Sequence, residues 1–511
     1  MDLESWFLAA GERGNTATRL DSRHADGRAW TDGNLVVPLV HGSEYFAELH
    51  QRVCAMERGD LLLFVDWRGD PDERLLGSSS SEAGALFAEA ARRGVDVRGL
   101  VWRSHWDKLA FSSAENRHFG EQINAAGGQC ILDMRVRVGG SHHQKFVVLR
   151  HPGRQERDVA FVGGIDLCHS RRDDASHQGD PQRQQMAAVY GPRPPWHDVQ
   201  LRLTGPVVGD VETVFRERWD DPQPPGRSPL RWAADRLRGD RVRARPLPAQ
   251  QPDPASVGPH PVQLLRTYPR RLGGYPFAPQ GERSVARGYE KAIAKARRLI
   301  YVEDQYLWSP QVTDTFVRAL RRSPELHLVA VLPHFPDQDG RVSMPPNLVS
   351  RQRLMAQLRR AAPGRVAFYG IENADGTPVY VHAKACVVDD VWASVGSDNF
   401  NRRSWTHDSE LSAAVCHPDY ARDLRRRMTD EHLERPAELD LAETFPALAA
   451  SADALQAWRE GGGAGPRPPG RLRPIGSRPL RPATRLWAQL LYRTIYDPDG
   501  RPVLMRLRGT I

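Results

Sequence analysis

Apolar and polar residues along the chain follow helical spacing and strand spacing in turn. Tyr45–Met56 has apolar residues at helical intervals, and Leu61–Asp66 is an apolar run of the length expected for a buried strand. Strands that alternate with helices predict a parallel or mixed sheet with helical cover. The predicted elements of the first half are helix Tyr45–Met56, strand Leu61–Asp66, helix Ala83–Arg93, strand Val95–Trp102, a strand-like segment from His143 to Lys145, and strand Val159–Gly164.

The second half repeats this order of elements. They are helix Tyr289–Arg298, strand Leu299–Glu303, helix Val312–Arg322, strand Leu326–Leu332, a segment from His382 to Lys384, and strand Trp392–Gly396. The repeat predicts an α/β fold of two similar lobes, with mixed or parallel sheets flanked by helices and related by a pseudo-two-fold axis. Such an axis would bring equivalent strand ends face to face, so we expect one cleft shared between the lobes.

Shifts in composition divide the chain. We expect a first lobe at residues 1–225, a linker rich in Pro, Arg, Gln and Asp at 226–262, and a second lobe at 263–440. A basic extension rich in Pro, Gly and Arg follows at 441–511. Within it, Leu486–Ile495 is expected to form an amphipathic helix and Pro502–Leu507 a strand.

Composition narrows the class of protein. The 511 residues are 40% hydrophobic and 26% charged, which is enough apolar material for buried cores. The five Cys form no CxxC pair, and no apolar stretch approaches the roughly 20 residues that span a bilayer. The first residues carry acids where a secretory signal needs bases. We therefore expect a cytoplasmic protein, with any membrane contact peripheral.

The formal charge of +8 lies in the C-terminal tail. Residues 461–511 contain ten Arg and two Asp, so the first 460 residues are neutral on balance. A basic tail suits an anionic partner such as a lipid surface or a nucleic acid, although a solvated tail has the same composition.

A run of fixed spacings in the second half carries the strongest chemical signal. Its members are His382, Lys384, Asp389, Gly396, Ser397 and Asn399. On a strand, residues two apart point to one face, so the imidazole of His382 and the ammonium of Lys384 should converge. With neutral donors from Ser397 and Asn399, such a group would bind the oxygens of a phosphodiester and needs no metal.

This spacing resembles the phospholipase D superfamily, and the first half carries a less complete copy of it. His143 and Lys145 form the same His-x-Lys pair, and Gly163, Gly164 and Asp166 follow the next strand in the form typical of lipid-acting members. The resemblance implies a phospholipase D fold with both pairs in one active site.

Two residues of the first copy depart from the pattern. Arg150 stands where the family has the Asp that braces the loop, and Asp158 is a candidate for that role. Asp166 stands where the second half has Asn399, and a carboxylate there would repel a phosphate. We expect Asp166 to lock the turn, or to face the alcohol or a cationic head group.

The resemblance implies a division of labour between the histidines. By analogy His143 attacks phosphorus to form a phosphohistidine, and His382 acts as general acid and base, although the reverse stays open. Each imidazole needs a carboxylate to fix its tautomer, and the candidates are Asp198 and Glu410. The sequence does not say which carboxylate serves which histidine. No cofactor is implied, and the neighbouring His142, His143 and His151 offer no convincing metal geometry.

Two further segments should border the cleft. Glu303, Gln305 and Tyr306 follow a predicted strand and resemble a segment of lipid-acting members, so we expect them to form a head-group wall. The polar segment 171–195 is expected to form a mobile, solvated lip.

The leading functional hypothesis is hydrolysis of a phospholipid to phosphatidic acid and an alcohol, with transfer to another alcohol as a variant. The alternatives are a phosphatidyltransferase similar to cardiolipin synthases, a nuclease of the same superfamily, and a lipid-binding scaffold without activity. The expected partner is a phospholipid at a membrane surface, and a nucleic acid is disfavoured. Since one chain supplies both pairs, no protein partner is required and a monomer suffices.

Overall fold

The computed structural model of the protein describes residues 2–104, 113–224, 233, 237, 243–307, 309–340, 343–476 and 480–508. The strands of the first half are β1 (Thr31–Val40), β2 (Leu61–Asp66), β3 (Asp96–Trp102), β4 (Gln129–Asp133), β5 (Phe146–Arg150), β6 (Val159–Gly163), β7 (Trp196–His197) and β8 (Val199–Thr204). Those of the second half are β9 (His260–Tyr268), β10 (Glu282–Arg283), β11 (Leu299–Glu303), β12 (His327–Val331), β13 (Val366–Glu372), β14 (Pro378–Val381), β15 (Ala385–Val388), β16 (Trp392–Gly396), β17 (Glu410–Cys416) and β18 (Leu472–Pro474).

The α-helices follow the same repeat. They are α1 (Ala10–Arg13), α2 (Gly42–Cys54), α3 (Ala83–Arg92), α4 (Ser113–Ala125), α5 (Val207–Trp219), α6 (Ser284–Lys295), α7 (Pro310–Arg322), α8 (Met344–Ala361), α9 (Arg402–Thr406), α10 (Pro418–Leu433), α11 (Leu441–Glu460), α12 (Pro482–Leu491) and α13 (Val503–Arg508). Proline at the start of α7, α8, α10 and α12 suits a first turn whose N–H groups lack helical partners.

Two sheets have the same strand order. The first runs β4-β3-β2-β5-β6-β8-β1 and the second β13-β12-β11-β15-β16-β17-β9. In each, three strands at one end are parallel and the others antiparallel. The match, position by position, confirms the predicted α/β fold of two similar lobes with mixed sheets flanked by helices.

One apolar core joins the two sheets, and two others lie outside them. The central core takes side chains from both sheets and from α5 and α10, among them Leu63, Val148, Leu201, Phe215, Val329, Val395, Ala413 and Leu424. A second core lies under α2, α3 and α4 of the first lobe, and a third under α6, α7 and α8 of the second. Because both faces of each sheet are covered, β2, β5, β6, β11, β15 and β16 are continuous buried runs.

Several segments cross between the lobes. β1 pairs with β8 of the first sheet and, at Thr31 and Asn34, with β9 of the second. The N-terminal Phe7 and Leu8 are buried in the outer core of the second lobe. At the other end of the chain, β18 extends the second sheet beside β13. The domain boundaries stay predictions, and much of the predicted linker (226–232, 234–236 and 238–242) lies outside the described residues.

Two local predictions were wrong. Each His-x-Lys pair lies in the connection just before a strand, ahead of β5 and of β15, and not on the strand itself. Pro502–Leu507 was expected to be a strand, but Val503–Arg508 is helical. That run has only six residues, and so short an apolar stretch does not distinguish a strand from a helix. Across the described residues, no helix is long and apolar enough to cross a membrane.

Candidate active site

His143 is held by the second lobe. Its backbone N–H donates to the carbonyl of Ser409 at 2.9 Å. Its Nδ1 lies 2.9 Å from Oε2 of Glu410, the first residue of β17, and Glu410 is fully buried. The carboxylate therefore fixes the ring through Nδ1 and leaves Nε2 for chemistry.

His382 is held by the first lobe in the same way. It follows β14, which pairs with β7 across the lobe boundary, and its N–H donates to the carbonyl of His197 at 2.7 Å. Its Nδ1 lies 2.6 Å from Oδ2 of Asp198, a fully buried carboxylate. Each histidine thus receives its carboxylate from the opposite lobe. The assignment that the sequence left open is Glu410 with His143 and Asp198 with His382.

The two lysines fold back beside their histidines. Lys145 Nζ donates to the carbonyl of His143 at 2.8 Å, and Lys384 Nζ donates to the carbonyl of His382. Both lysines are buried. The loop before each strand therefore brings imidazole and ammonium together. The sequence predicted that the two groups converge, but from the alternation of side chains along a strand. Burial lowers the pKa of Lys384 to about 8, against the charge of Asp198.

The site favours neutral imidazoles. Burial, and next the charges of Lys145 and Lys384, lower the pKa of His143 well below its usual range. For His382 the causes are burial, Lys384 and then Arg171. Burial raises the pKa of Glu410 to about 8. Because the histidines are neutral near pH 7, each can offer a lone pair to an electrophile without first losing a proton.

Ser397 and Asn399 differ in what they contact. The hydroxyl of Ser397 donates to Glu410 Oε2 at 2.6 Å and accepts from the N–H of Leu411 at 3.0 Å. Ser397 therefore orients the carboxylate behind His143, a contact that the sequence did not predict. Asn399 is buried, and its side-chain oxygen has no hydrogen-bond partner within the described residues. Of the two, Asn399 has the polar group available to a ligand.

Asp166 forms ion pairs with Lys145 and Arg171. Its Oδ1 lies 3.4 Å from Lys145 Nζ, and its Oδ2 lies 3.5 Å from Arg171. Burial opposes its ionisation, but the charges of Lys145 and Arg171 outweigh burial and lower the pKa of Asp166. Burial and the adjacent Asp166 raise the pKa of Asp66 far above its usual range, so the two carboxyls share a proton. These contacts fit the turn-locking alternative. This role of Asp66 was not predicted from the sequence.

Only part of segment 171–195 is exposed to solvent as its composition predicted, because Arg171, Asp173 and His177 are buried. The guanidinium of Arg171 is buried and lies 3.8 Å from the ring centroid of Trp196. The carboxylate of Asp173 accepts the N–H of Trp196 at 2.7 Å. The Trp196 ring in turn lies 4.9 Å from that of His382. Arg171 and Asp173 of this segment therefore belong to a buried network beside the site.

Asp389 and Asp158, the two candidates for bracing a loop, make different contacts. Asp389 accepts the N–H groups of Arg297, Arg298 and Leu299 at 2.7–2.9 Å and so ties the turn after β15 to the start of β11. In the first lobe, Asp158 accepts the N–H of His151 at 2.6 Å within its own turn. Asp158 therefore closes this turn and does not reach β2 as Asp389 reaches β11.

The motif glycines make room for polar neighbours. A Cβ on Gly164 would lie 2.4 Å from Asp198 Oδ1. A Cβ on Gly163 would lie 2.4 Å from Gln200 Oε1, and one on Gly396 would lie 1.9 Å from Ser412 Oγ. A side chain at Gly164 would displace the carboxylate that holds His382.

Two of the three residues predicted for the head-group wall, Gln305 and Tyr306, line one cleft. Gln305 Nε2 donates to the hydroxyl of Tyr380 at 2.8 Å, and both residues line a cleft with Tyr306. The ring of Tyr380 lies 6.4 Å from that of His382, so this cleft opens beside the site. Glu303 is not part of the wall. Glu303 is the last residue of β11, is fully buried and lies 2.6 Å from Nε2 of His197, whereas Gln305 and Tyr306 lie beyond the end of the strand.

Comparison with known proteins shows which families and relatives this chain is similar to. A family model described as "Phospholipase D" matches residues 72–231, and one described as "Cardiolipin synthase, PLD-like domain" matches residues 289–431. Phospholipase D alpha 1 of Ricinus communis is 25% identical over 453 residues, which cover 66% of this chain and 55% of that protein. Phospholipase D alpha 2 of Arabidopsis thaliana is 25% identical over 454 residues with the same coverage. The chain spans about half the length of these curated relatives.

A solved structure has a similar fold. The phosphatidylserine synthase of Haemophilus influenzae Rd KW20 aligns with a TM-score of 0.53 over 84% of this chain and 93% of that one. The sequence identity is 11%, so this likeness concerns the fold alone.

Proposed function

Because the chain belongs to the phospholipase D superfamily, we propose that it is a phospholipase D-type phosphodiesterase. It hydrolyses the head group of a phospholipid to give phosphatidic acid and an alcohol, and it can pass the phosphatidyl group to an alcohol in place of water. The relatives support an enzyme of the phosphodiesterase or phosphotransferase type. The lipid substrate is the proposed step beyond that.

The crosswise pairing of two histidines with two carboxylates carries the proposal. His143 and His382 are each bonded through Nδ1, to Glu410 and Asp198. Neither Nε2 has a hydrogen-bond partner among the described residues. A displacement at phosphorus needs one group to attack and another to serve the leaving oxygen, and two such imidazoles meet that need.

The proposed reaction has two steps. In the first, Nε2 of His143 forms a bond to phosphorus, the bond from phosphorus to the head-group oxygen breaks, and His382 as imidazolium gives its proton to that oxygen. In the second, His382 takes a proton from water, the water oxygen bonds to phosphorus, and the phosphorus–nitrogen bond breaks to release phosphatidic acid. Lys145 and Lys384 hold the phosphate oxygens throughout.

The substrate itself supplies the charge that His382 needs. In the free protein burial and nearby cations lower the pKa of His382. An arriving phosphodiester brings one negative charge next to the imidazole, and this charge favours the protonated form. Substrate binding therefore prepares the general acid.

A membrane surface is the proposed place of action. The C-terminal docking patch consists of Leu486, Leu490, Ile495, Val503, Leu504 and Leu507, each 59–81% exposed. The exposed Arg485, Arg493, Arg506 and Arg508 are interspersed with them. Apolar side chains flanked by Arg are the composition of a surface that enters the interface of an anionic bilayer.

The docking patch is attached beside the active site. The carboxylate of Asp497 accepts the N–H of Arg403 on α9 at 2.8 Å and the hydroxyl of Tyr492 at 2.6 Å. Helix α9 lies between Asn399 and Glu410 in the chain. A bilayer bound at the patch would therefore lie close to the cleft.

Identification of the phosphorylated residue tests the reaction. Wild type, His143→Asn, His382→Asn and the exposed control His118→Asn are mixed with phosphatidylcholine vesicles and quenched in alkaline denaturant, because the phosphorus–nitrogen bond is labile in acid, and the labelled histidine is mapped by mass spectrometry. A phosphatidyl ester with a nitrophenol leaving group, which needs little acid assistance, is used in parallel. We expect this ester to label His143 in wild type and His382→Asn, and to leave His143→Asn unlabelled.

The substrate class is tested by product analysis. The same proteins receive phosphatidylcholine, phosphatidylglycerol or single-stranded DNA, with and without a primary alcohol. Phosphatidic acid, or a phosphatidyl alcohol when alcohol is present, is the expected product. Cleavage of DNA without turnover of lipid would overturn the lipid proposal and favour the nuclease alternative.

The docking patch is tested by placing acidic residues on its apolar face. Leu486→Glu with Leu490→Glu should lower sedimentation with anionic vesicles and turnover of vesicle lipid, and leave turnover of a soluble short-chain lipid unchanged. The control Val257→Glu changes a residue that is 51% exposed and outside the patch. Equal sedimentation of the double variant and wild type would refute a role of the patch in membrane contact.

A further inference from the structure

A buried cluster of histidines lies at the boundary of the two lobes, behind the carboxylate that holds His382. We call His41, His177, His197 and Glu431 the inter-lobe cluster. His41 directly follows β1, His177 lies in segment 171–195, His197 ends β7, and Glu431 is on α10. The three imidazoles are 0–1% exposed. The proposed reaction uses none of these four residues.

The nitrogen atoms of the three rings converge on one carboxylate. His41 Nε2 lies 2.8 Å from Glu431 Oε2, and His177 Nε2 lies 3.0 Å from Glu431 Oε1. His197 Nδ1 lies 3.3 Å from the same Oε1. These four ligand atoms all lie within 4.8 Å of one another. We propose that the inter-lobe cluster binds one divalent transition-metal ion, with zinc as the best match.

His197 lies between two carboxylates, so its ring either carries a proton on both nitrogens or shares one side with a metal cation. A neutral imidazole has one N–H and one lone pair. His197 faces a carboxylate on each side, because its Nε2 lies 2.6 Å from Glu303 Oε2. A neutral ring would therefore turn its lone pair towards one of the two carboxylates. A metal ion bound to Nδ1 takes up that lone pair and leaves Nε2–H to donate to Glu303.

Of the three histidines, His197 has the second contact that metal-binding histidines make, whereas Nδ1 of His41 and of His177 has no hydrogen-bond partner among the described residues. A metal-binding histidine donates its second N–H to a carboxylate or carbonyl, which fixes the ring. Glu303 serves His197, and Asp173 lies 3.6 Å from Nδ1 of His177. Glu303 is itself held by His432 Nε2 at 2.7 Å and by the hydroxyl of Tyr301. A carboxylate with this many fixed donors is built to hold a ring in one position.

The donor set selects the kind of metal. Three imidazoles and one carboxylate suit zinc and related transition ions, whereas calcium and magnesium prefer oxygen ligands. A tetrahedral zinc ion with bonds of about 2.0–2.1 Å holds its ligands about 3.3 Å apart, so side-chain movements of about 1 Å would complete the site. A divalent cation would also balance the two buried carboxylates, Glu431 and Glu303.

The metal would act as a clamp, outside the reacting groups. Three ligands belong to the first half of the chain and Glu431 to the second, so the ion would join the lobes. His197 precedes Asp198, and fixing the first would hold the second against His382. The sequence pointed to no metal because these ligands come from four separate segments, the nearest two 20 positions apart.

Metal content tests the proposal without reference to activity. Full-length protein is stripped with a chelator, dialysed, given zinc or cobalt(II), desalted and analysed by mass spectrometry for metals. We expect one ion per chain in wild type, with the visible absorption of tetrahedral cobalt(II), and loss of both in His177→Ala and in Glu431→Gln. The control His118→Ala changes an exposed histidine and should retain the ion.

Folding is checked by circular dichroism, and Glu431→Gln is included because it conserves the shape of the side chain. Zinc should also raise the thermal midpoint of wild type and not that of Glu431→Gln. Wild type that takes up no metal, or a Glu431→Gln variant that takes up as much as wild type, overturns the proposal. The first result would leave the cluster as a network of imidazolium and carboxylate groups. Neither result bears on the phosphohistidine mapping, so the two proposals fail separately.

Discussion

Asp198→Asn removes the charge that orients His382 and changes almost nothing else. Asp198 Oδ2 lies 2.6 Å from His382 Nδ1, and Oδ1 accepts the N–H of Val199 at 2.9 Å. An asparagine of equal size keeps its oxygen on Val199 and turns its NH2 towards Nδ1. His382 must then carry its proton on Nε2, which is the wrong tautomer for a base at that atom.

The expected loss of activity combines the weaker hydrogen bond to the imidazolium with the wrong tautomer of His382. A hydrogen bond to a charged group contributes ~1.5–3 kcal/mol to the stability of the imidazolium. The same exchange in a serine protease triad lowers kcat ~10⁴-fold, which includes the cost of the wrong tautomer. We expect kcat to fall ~10²–10⁴-fold, equivalent to ~2.7–5.4 kcal/mol in the barrier, with KM changed little. The carboxylate does not face the substrate, so ground-state binding is spared.

The assay is release of the head group from mixed micelles, with kcat and KM determined separately. Asp174→Asn is the matched control, since its carboxylate bonds Ser176 at the surface. The thermal midpoint of Asp198→Asn should stay near that of wild type, because the substitution conserves volume. A folded Asp198→Asn protein with kcat within about threefold of wild type would refute the assignment of Asp198 to His382.

Three further predictions follow from the same structure. The value of kcat/KM should fall as pH rises through about 8, because Lys384 then loses the proton with which it binds phosphate. Lys384→Arg should move this fall to higher pH, since arginine keeps its proton. A fall at the same pH in the variant would assign the titration to another group. On the acid side, activity should persist below pH 6.5, because burial lowers the pKa of His143. Asp389→Ala should lower the free energy of unfolding by ~1–3 kcal/mol, since three N–H groups lose their acceptor. Urea unfolding measures this loss, with Asp389→Asn expected to be intermediate, and an alanine variant as stable as wild type would contradict it.

The parts of the molecule that sequence predicts well are those set by local spacing. Leu61–Asp66 is almost entirely apolar and is bounded by polar residues, and that strand was predicted with its observed limits. The repeat of elements along the chain predicted two similar lobes. The six fixed positions from His382 to Asn399 identified the superfamily because a local spacing encodes them.

The residues that sequence misplaced depend on contacts between distant segments. Polar composition suggested solvent for segment 171–195, yet Arg171 is buried between Asp166 and Trp196. Glu303 was expected in the cleft, but its carboxylate is buried against His197 and His432. One sequence does not reveal which polar side chains neutralise each other at long range.

The exchange of carboxylates has a consequence for how this protein could have arisen and how it can be divided. A single lobe would keep its His-x-Lys pair but would lack the acceptor for its own imidazole, since Glu410 and Asp198 each serve the opposite half. Either half expressed alone should therefore be inert even if it folds, and the two halves should complement one another only when they associate. The same reciprocity means that an ancestral half could have worked only in company with a second copy.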